Sequence, residues 1–277
     1  MKDTECVKFL QWALPRMGMR WAGFRKVRGQ VCKRLTQRLK ILGLTCVDDY
    51  RVHLLSHTDE WQVLDTFARI TITRFYREKA VFQCLEREVL PALLHTVVDR
   101  GDTRLNVLSL GCASGEEPYS IAILWHFIFQ KNHPDITLNI VATEADPGLI
   151  QRGRQACYPF SSVKNLPEAW RRVAFDKGNG FYCLKPVYRQ GVHFCQQDIR
   201  RVLPEGRYDL ILCRNLVFTY FDERLQCRTF QRITRLLNEN GALVTGIHET
   251  LPAGQDQVTA WSDKLGIFRK SGTRRNS

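Results

Sequence analysis

The chain has 277 residues, 44% of them hydrophobic, and a formal net charge of +13. This length supports one large α/β domain with a smaller companion. No run of eighteen apolar residues and no charged-then-apolar leader occurs, so neither a membrane span nor a secretory signal is predicted. The ten cysteines include no CxxC pair and no His–x–x–x–His beside them, which argues against a zinc site. Their apolar neighbours predict buried thiols in a reducing, cytoplasmic compartment.

The first 70 or so residues read as helical. "MKDTECVKFLQWALPRMG" is amphipathic. Phe24, Val27, Val31, Leu35, Leu39 and Leu42 fall three or four apart, the stripe of one helix ended by Gly43. Residues 16–40 hold nine Lys or Arg and no acid, so an acidic protein surface or nucleic acid is the expected partner. "VDDYRVHLL" and "EWQVLDTFARI" predict two more helices. "TITRFYREKAVFQCLEREVLPALL" leads into another, expected to stop near Pro91. The domain boundary falls between residues 70 and 90, with 1–75 taken as a basic helical domain and 76–277 as the α/β domain.

From Leu105 strands and helices alternate. "RLNVLSL", "TLNIVATEAD", "RYDLILC" and "ALVTGIH" are the strands. "PYSIAILWHFIFQ", "PGLIQRGRQACY" and "DERLQCRTFQRITRLLNENG", the last closed by Gly241, are the helices. That rhythm predicts a doubly wound parallel sheet with right-handed crossovers. Residues 160–198 interrupt it with Gly and Pro breaks, as a small β-hairpin insertion would. The tail "RKSGTRRNS" is polar, basic and expected to fray.

In doubly wound sheets ligands lie beyond the carboxyl ends of the strands. After the first strand, "LGCASGEEPYS" places Gly111 and Gly115 for a sharp turn, then Glu116 and Glu117 where the next helix begins. A pyrophosphate at that helix end would be repelled, and GxxxG is not the dinucleotide fingerprint. A ligand with an ammonium or sulfonium centre resolves the conflict. S-adenosylmethionine has both, and Glu144 or Asp146 after the second strand could grip its ribose. The residues alone leave a second reading equally open, in which the two glutamates only complement the helix dipole.

"TITRFYRE", "LGCASGEEPYSIA", "ATEAD", "YDLILCRNLVFTYFD" and "GALVTGIHETL", in this order, resemble the chemotaxis receptor methyltransferases, the CheR family, over nearly the whole chain. The resemblance implies an S-adenosylmethionine-dependent methyltransferase fold with an N-terminal helical domain and a small β-subdomain. It implies transfer of a methyl group to glutamate carboxylates of chemoreceptors, leaving S-adenosylhomocysteine. Residue by residue it puts Thr71, Thr73 and Arg77 at the cofactor, Thr71 standing where relatives commonly have Asn. It puts Gly111 and Glu116 near the cofactor's methionine end, Glu144 at its ribose, Asp198 and Ile199 near its adenine, and Arg214 and Asn215 beside it. Arg77 and Tyr220 are the implied catalytic pair. Four residues separate Asn215 from Tyr220 where relatives have three, and "GIHETL" stands in place of a Gly–His–Ser–Glu ending, with His248 and Glu249 expected at most to support the residues that touch the cofactor. No metal is expected.

A glutamate carboxylate is ionised at neutral pH and needs no general base to act as nucleophile. Arg77 suits holding it, because the planar guanidinium meets both carboxylate oxygens. Tyr220 could orient it by one hydrogen bond. Arg25, Lys26, Arg28, Lys33, Arg34 and Arg38 are the candidates for attracting an acidic acceptor protein. A monomer without membrane insertion or a stable nucleic-acid partner is expected. Three alternatives remain: a nucleic-acid methyltransferase, a small-molecule carboxyl methyltransferase, and a non-catalytic cofactor-binding scaffold.

Overall fold

A computed structural model describes residues 1–254 and 256–271, so residues 272–277 of the expected frayed tail lie outside the described residues. The chain forms two units. Met1–Ile72 together with Thr219–Gln226 make the first, and Thr73–Phe218 with Cys227–Ser277 make the second. No helix among the described residues is long and apolar enough to cross a membrane.

The first unit holds helices α1 (Asp3–Arg16), α2 (Trp21–Phe24), α3 (Arg28–Ile41), α4 (Val47–Ser56) and α5 (Glu60–Phe67). The predicted stripe is split, since Val27 sits in a turn between α2 and α3, but Val31, Leu35 and Leu39 point inward as expected. They meet Phe9, Leu10, Ala13 and Leu14 of α1, Tyr50 and Leu54 of α4, and Leu64 of α5. The late segment 219–226 joins this unit through its backbone: the Arg20 amide donates to the Tyr220 carbonyl at 2.9 Å and the Asp222 amide to Gly18 at 2.8 Å.

One buried charge organises these helices. Glu60 accepts from Arg38 Nε at 2.9 Å and Nη2 at 2.6 Å, and from the Tyr50 hydroxyl at 2.6 Å. The Arg38 hydrogen bond outweighs burial and holds the Glu60 carboxyl below its ordinary value. Arg28 pairs with Asp3, and Arg34 donates to the carbonyls of Phe67 and Arg69 at the end of α5. Half of the six basic candidates are therefore engaged in holding the fold together. Arg25, Lys26 and Lys33 are exposed.

The second unit is built on a seven-stranded sheet in the order β6-β2-β1-β7-β8-β10-β9. Five neighbours are parallel: β1 (Arg104–Leu110), β2 (Thr137–Glu144), β6 (Val192–Gln196), β7 (Tyr208–Leu212) and β8 (Leu237–Val244). Every residue of β7 is buried, the apolar run that a strand covered on both faces requires. Two strands not foreseen, β9 (Val258–Ser262) and β10 (Ile267–Lys270), add an antiparallel edge against β8. The order reverses between β1 and β7, so the ligand crevice of such a sheet lies beyond their carboxyl ends.

Helix readings change at Pro91 and at Gly241. The helix expected to stop near Pro91 runs on from α6 (Lys79–Cys84) through a π turn (Leu85–Val89) into α7 (Leu90–Asp99). In the π turn the Leu90 amide reaches back five residues to Leu85, and Pro91, which has no amide hydrogen, falls in the first turn of α7 where none is needed. Between β1 and β7 lie α8 (Glu116–Leu124), α9 (Pro147–Gln155), α10 (Phe160–Val163) and α11 (Glu168–Ala174). After the short α12 (Val217–Tyr220), helix α13 (Glu223–Leu236) ends before Gly241, because β8 already starts at Leu237 and Asn240 takes a left-handed turn within it.

The inserted hairpin is β4 (Phe175–Gly178) and β5 (Phe181–Leu184), joined through Asn179 and Gly180, both at positive φ as a type I′ turn demands. β3 (Cys157–Pro159) adds a third antiparallel strand, whereas the next apolar stretch, Val192–Gln196, joins the main sheet as β6. Four of the ten cysteines are not thiols as expected: Cys6 is bonded to Cys32, where α1 packs on α3, and Cys157 to Cys183, opposite each other on β3 and β5. Among the described residues, no cluster of His, Cys, Asp or Glu could hold a metal.

Replacing Arg38 by Ala leaves Glu60 buried without its counter-charge and is expected to destabilise the full chain by about 3 kcal/mol at neutral pH, read by urea unfolding. The Glu60 contribution is present above the ordinary carboxylate pKa and is lost as pH falls through the lower folded value. Glu60→Gln is therefore expected to flatten the acid limb of a melting temperature–pH profile.

Candidate active site

The turn after β1 is held in an unusual backbone shape. Gly111, Ala113 and Gly115 all have positive φ, +69°, +49° and +90°. For Ala113 this conformation is unfavourable, and the structure fixes it from outside. The Ala113 amide donates to Glu144 at 3.1 Å, and the Cys112 amide to the Thr143 carbonyl at 2.9 Å. Glu144, at the end of β2, also accepts from the amides of Ala145 and Asp146 at 2.7 and 3.1 Å. Burial pushes its carboxyl above the ordinary value, and the three amides oppose the shift. A carboxylate has about four lone-pair positions, so Glu144 retains capacity for one more donor, such as a ribose hydroxyl. Asp146 does not compete for that part: its carboxylate caps α9 by accepting from Gly148 and Leu149.

The two glutamates that open α8 diverge. Glu116 is 1% exposed, accepts from the Ser114 hydroxyl at 2.9 Å, and has its pKa raised by burial. Glu117 accepts from the Ser109 hydroxyl at 2.8 Å and from Arg214 Nη1 at 3.2 Å. Of the acidic pair, Glu117 is the one tied to the loop after β7.

Arg214 is buried and joins three parts of the chain. Besides Glu117, its Nη2 donates to Glu78 at 2.9 Å and to the backbone carbonyl of Arg77 at 2.7 Å. Burial alone would raise the Glu78 carboxyl, but the Arg214 charge and hydrogen bond, with help from the Ile247 amide and Asn215, hold it below the ordinary value. Glu78 and Tyr76 both sit at positive φ, +62° and +51°. The segment is pinned on both sides, because the Phe75 amide donates to the Ser162 carbonyl and the Tyr76 amide to the Ser120 hydroxyl. Arg77, a third exposed, lies 4.0 Å from Glu78, farther than Arg214 does.

Asn215 completes the crevice. Its φ is +55°, its amide donates to Glu249 at 2.7 Å, and its side-chain amide reaches Glu78 at 3.4 Å. A Cβ added to Gly111 would lie 2.4 Å from the Leu216 side chain, so the turns after β1 and β7 touch. Contacts thus run from Glu144 through the glycine turn and Leu216 to Asn215, Glu78 and Arg77. Four of the seven non-glycine residues at positive φ among those described, Tyr76, Glu78, Ala113 and Asn215, belong to this crevice. Strained backbone gathers where a ligand must be met.

The remaining candidates are placed differently. Asp198 is paired with Arg200, and Ile199 is buried with its carbonyl accepting from Arg232. Beside them Gln197 Oε1 is buried without a donor, an unmet acceptor of the kind an exocyclic amine satisfies. Thr73 is half-buried at the start of the second unit. Thr71 and Tyr220 belong to the first unit, where Thr71 is exposed and the Tyr220 ring packs 4.9 Å from Phe24. Glu78 and Glu249 carry more of the geometry than the sequence suggests. Their only sequence signals are adjacency to Arg77 and, for Glu249, the place directly after a strand-end glycine–isoleucine–histidine run.

Residues 71–266 match the family model described as the CheR methyltransferase, SAM binding domain. The chain is 27% identical over 227 residues to a chemotaxis protein methyltransferase of Borreliella burgdorferi, covering 79% of this chain and 78% of that one. It is 30% identical over 244 residues to a probable chemotaxis protein methyltransferase of Rhizobium etli, covering 86% and 88%. A third similar protein, chemotaxis protein methyltransferase 2 of Vibrio cholerae, is 29% identical over 255 residues, covering 90% and 86%. The crevice suits the methyl donor: Glu144 has spare acceptor capacity, Gln197 lacks a donor, and the turn offers carboxylates rather than a phosphate cradle. With a strand order that reverses at this crevice and a family model spanning most of its length, the chain belongs to the CheR methyltransferase family and carries its S-adenosylmethionine-binding domain.

Proposed function

We propose that the chain transfers the methyl group of S-adenosylmethionine to a glutamate side-chain carboxylate of an acidic receptor-type protein. The observation that carries this reading is Arg77, partly exposed on a segment whose backbone is locked by Arg214, Ser120 and Ser162. The bound donor supplies an electrophilic methyl on a sulfonium. One acceptor carboxylate oxygen forms the new C–O bond as the C–S bond breaks, giving a methyl ester and S-adenosylhomocysteine, with no proton to move.

The residues have three tasks. Glu144, the glycine turn, Gln197 and Asn215 hold the donor in register. Arg77 offers its guanidinium to the acceptor carboxylate, and Arg214, already engaged with two glutamates, keeps the Arg77 backbone in place. Alignment of this sort is worth on the order of 7–11 kcal/mol in lowering a barrier. Tyr220 is proposed to give the acceptor one further hydrogen bond. The exposed cations Arg25, Lys26 and Lys33 on the helical unit would raise the encounter rate with an acidic partner.

Arg77→Ala is expected to lower kcat by about 100-fold, the scale of a misplaced reacting group, while the melting temperature stays within a few degrees. The assay is transfer of base-labile label from methyl-labelled S-adenosylmethionine to an acidic receptor fragment. Undiminished transfer would remove Arg77 from the reaction, and no base-labile label with the native chain would remove the carboxylate acceptor.

Reversing Arg25, Lys26 and Lys33 to Glu is expected to reduce kcat/KM by about tenfold at low ionic strength, with the gap closing in 0.5 M salt and binding of S-adenosylhomocysteine unchanged. A salt-independent deficit would point to damage to the fold instead.

A further inference from the structure

We infer that Glu249 is a positioning residue for the methyl-donor site: its carboxylate clamps the Asn215 turn to the strand end of β8. The inference rests on reading this crevice as the donor site. Glu249 accepts three backbone hydrogen bonds from two separate loops, from Asn215 at 2.7 Å, Leu216 at 3.1 Å and Gly246 at 2.7 Å. The first two amides follow β7 and the third follows β8, so one side chain fastens together the turns at the ends of neighbouring strands.

Such a clamp answers a definite need. Asn215 has a left-handed backbone, φ +55°, which a free loop would abandon. The Glu249 bonds to Asn215 and Leu216 fix the backbone on both sides of that conformation. Its side chain is confined from elsewhere. Glu78 meets the Asn215 amide nitrogen at 3.4 Å, and a Cβ built on Gly246 would fall 2.9 to 3.0 Å from the Asn215 side-chain atoms. Gly246 is thus a gap that the Asn215 amide occupies. Leu216, next in the chain, closes over Gly111 of the first turn, so a shift of the clamp is passed to the glycine turn as well. Glu249 itself touches backbone amides, and its part is to hold the residues that meet the donor.

The test uses the full chain and S-adenosylhomocysteine as the probe, with calorimetric binding and hydrogen exchange as readouts. Glu249→Gln replaces one acceptor oxygen by a donor. It is expected to weaken binding about tenfold and to speed exchange at the amides of Asn215, Leu216 and Gly246, with the KM for the acceptor unchanged at saturating donor. Gly246→Ala leaves the carboxylate intact but crowds Asn215, and the same loss of affinity is expected by this independent route. Asp209→Asn serves as the stability control. Asp209 is buried at the opposite end of the sheet, bound to Arg100, Asn106 and Asn238, so its loss should lower the melting temperature with affinity unchanged. Absence of binding by the native chain would sink the site reading itself. Native binding with undiminished affinity in both Glu249→Gln and Gly246→Ala would overturn the clamp alone, as would an equal loss of affinity in Asp209→Asn.

Discussion

The guanidinium of Arg214 is the constraint on which the crevice depends. It is buried, and a buried cation is tolerated only when paired and hydrogen-bonded. Its partners come from two elements: Glu117 in the first turn of α8, and the segment just before α6, which supplies the Glu78 carboxylate and the carbonyl of Arg77. Removing it would leave Glu117 without its counter-charge and Glu78 with only Arg77, 4.0 Å away. The loop after β7 that carries Arg214, the helix that follows the glycine turn, and the segment that carries Arg77 are therefore bound into one electrostatic unit. That unit explains how a left-handed backbone at Glu78 survives without glycine: the side chain's bonds to Arg214 and Asn215 offset the conformational cost of about 1–3 kcal/mol.

Arginine is used in two ways in this chain, and composition alone cannot separate them. In the helical unit Arg38 faces a buried glutamate, Arg34 satisfies carbonyls at a helix end, and Arg28 makes an exposed pair with Asp3. The first has large structural consequences, whereas an exposed pair contributes about 0–1 kcal/mol. A basic stretch therefore overstates the charge that a partner can feel. Of the six candidates, the exposed remainder, Arg25, Lys26 and Lys33, is what long-range attraction can act through.

What the sequence disclosed and what it hid follow a physical division. Periodicity reports which face of an element is buried, so the α3 stripe, the runs that became β1, β2 and β7, and the turn at Gly111 and Gly115 were readable. The short β9 and β10 mix exposed and buried residues over four or five positions, too few for a pattern to emerge. The cysteine pairs depend on which elements pack together, and no spacing encodes that. The same holds within the crevice. Arg214 and Asn215 were flagged by type, yet the partners of Arg214 lie 97 and 136 residues away. The clamping by Glu249 was hidden more deeply still, since its partners are backbone amides, a group that every residue but proline possesses.

On the proposed reaction, the charge arithmetic of the crevice gives a reason for its restraint. A sulfonium and a carboxylate are both charged before transfer, whereas the thioether and the ester are neutral. A transition state between them carries less charge than the reactants, so surroundings that solvate both ions strongly would slow it. Here Glu78 and Glu117 bring two negative charges against the single positive charge of Arg214, and Arg77, 4.0 Å from Glu78, supplies the second positive charge. Glu144 is turned toward three amides, which soak up much of its field. In the proposed reaction Arg77 meets the acceptor from a position beside Glu78 that tempers its charge. A guanidinium so placed can align a carboxylate without neutralising it, and alignment is what a nucleophile that needs no base still requires.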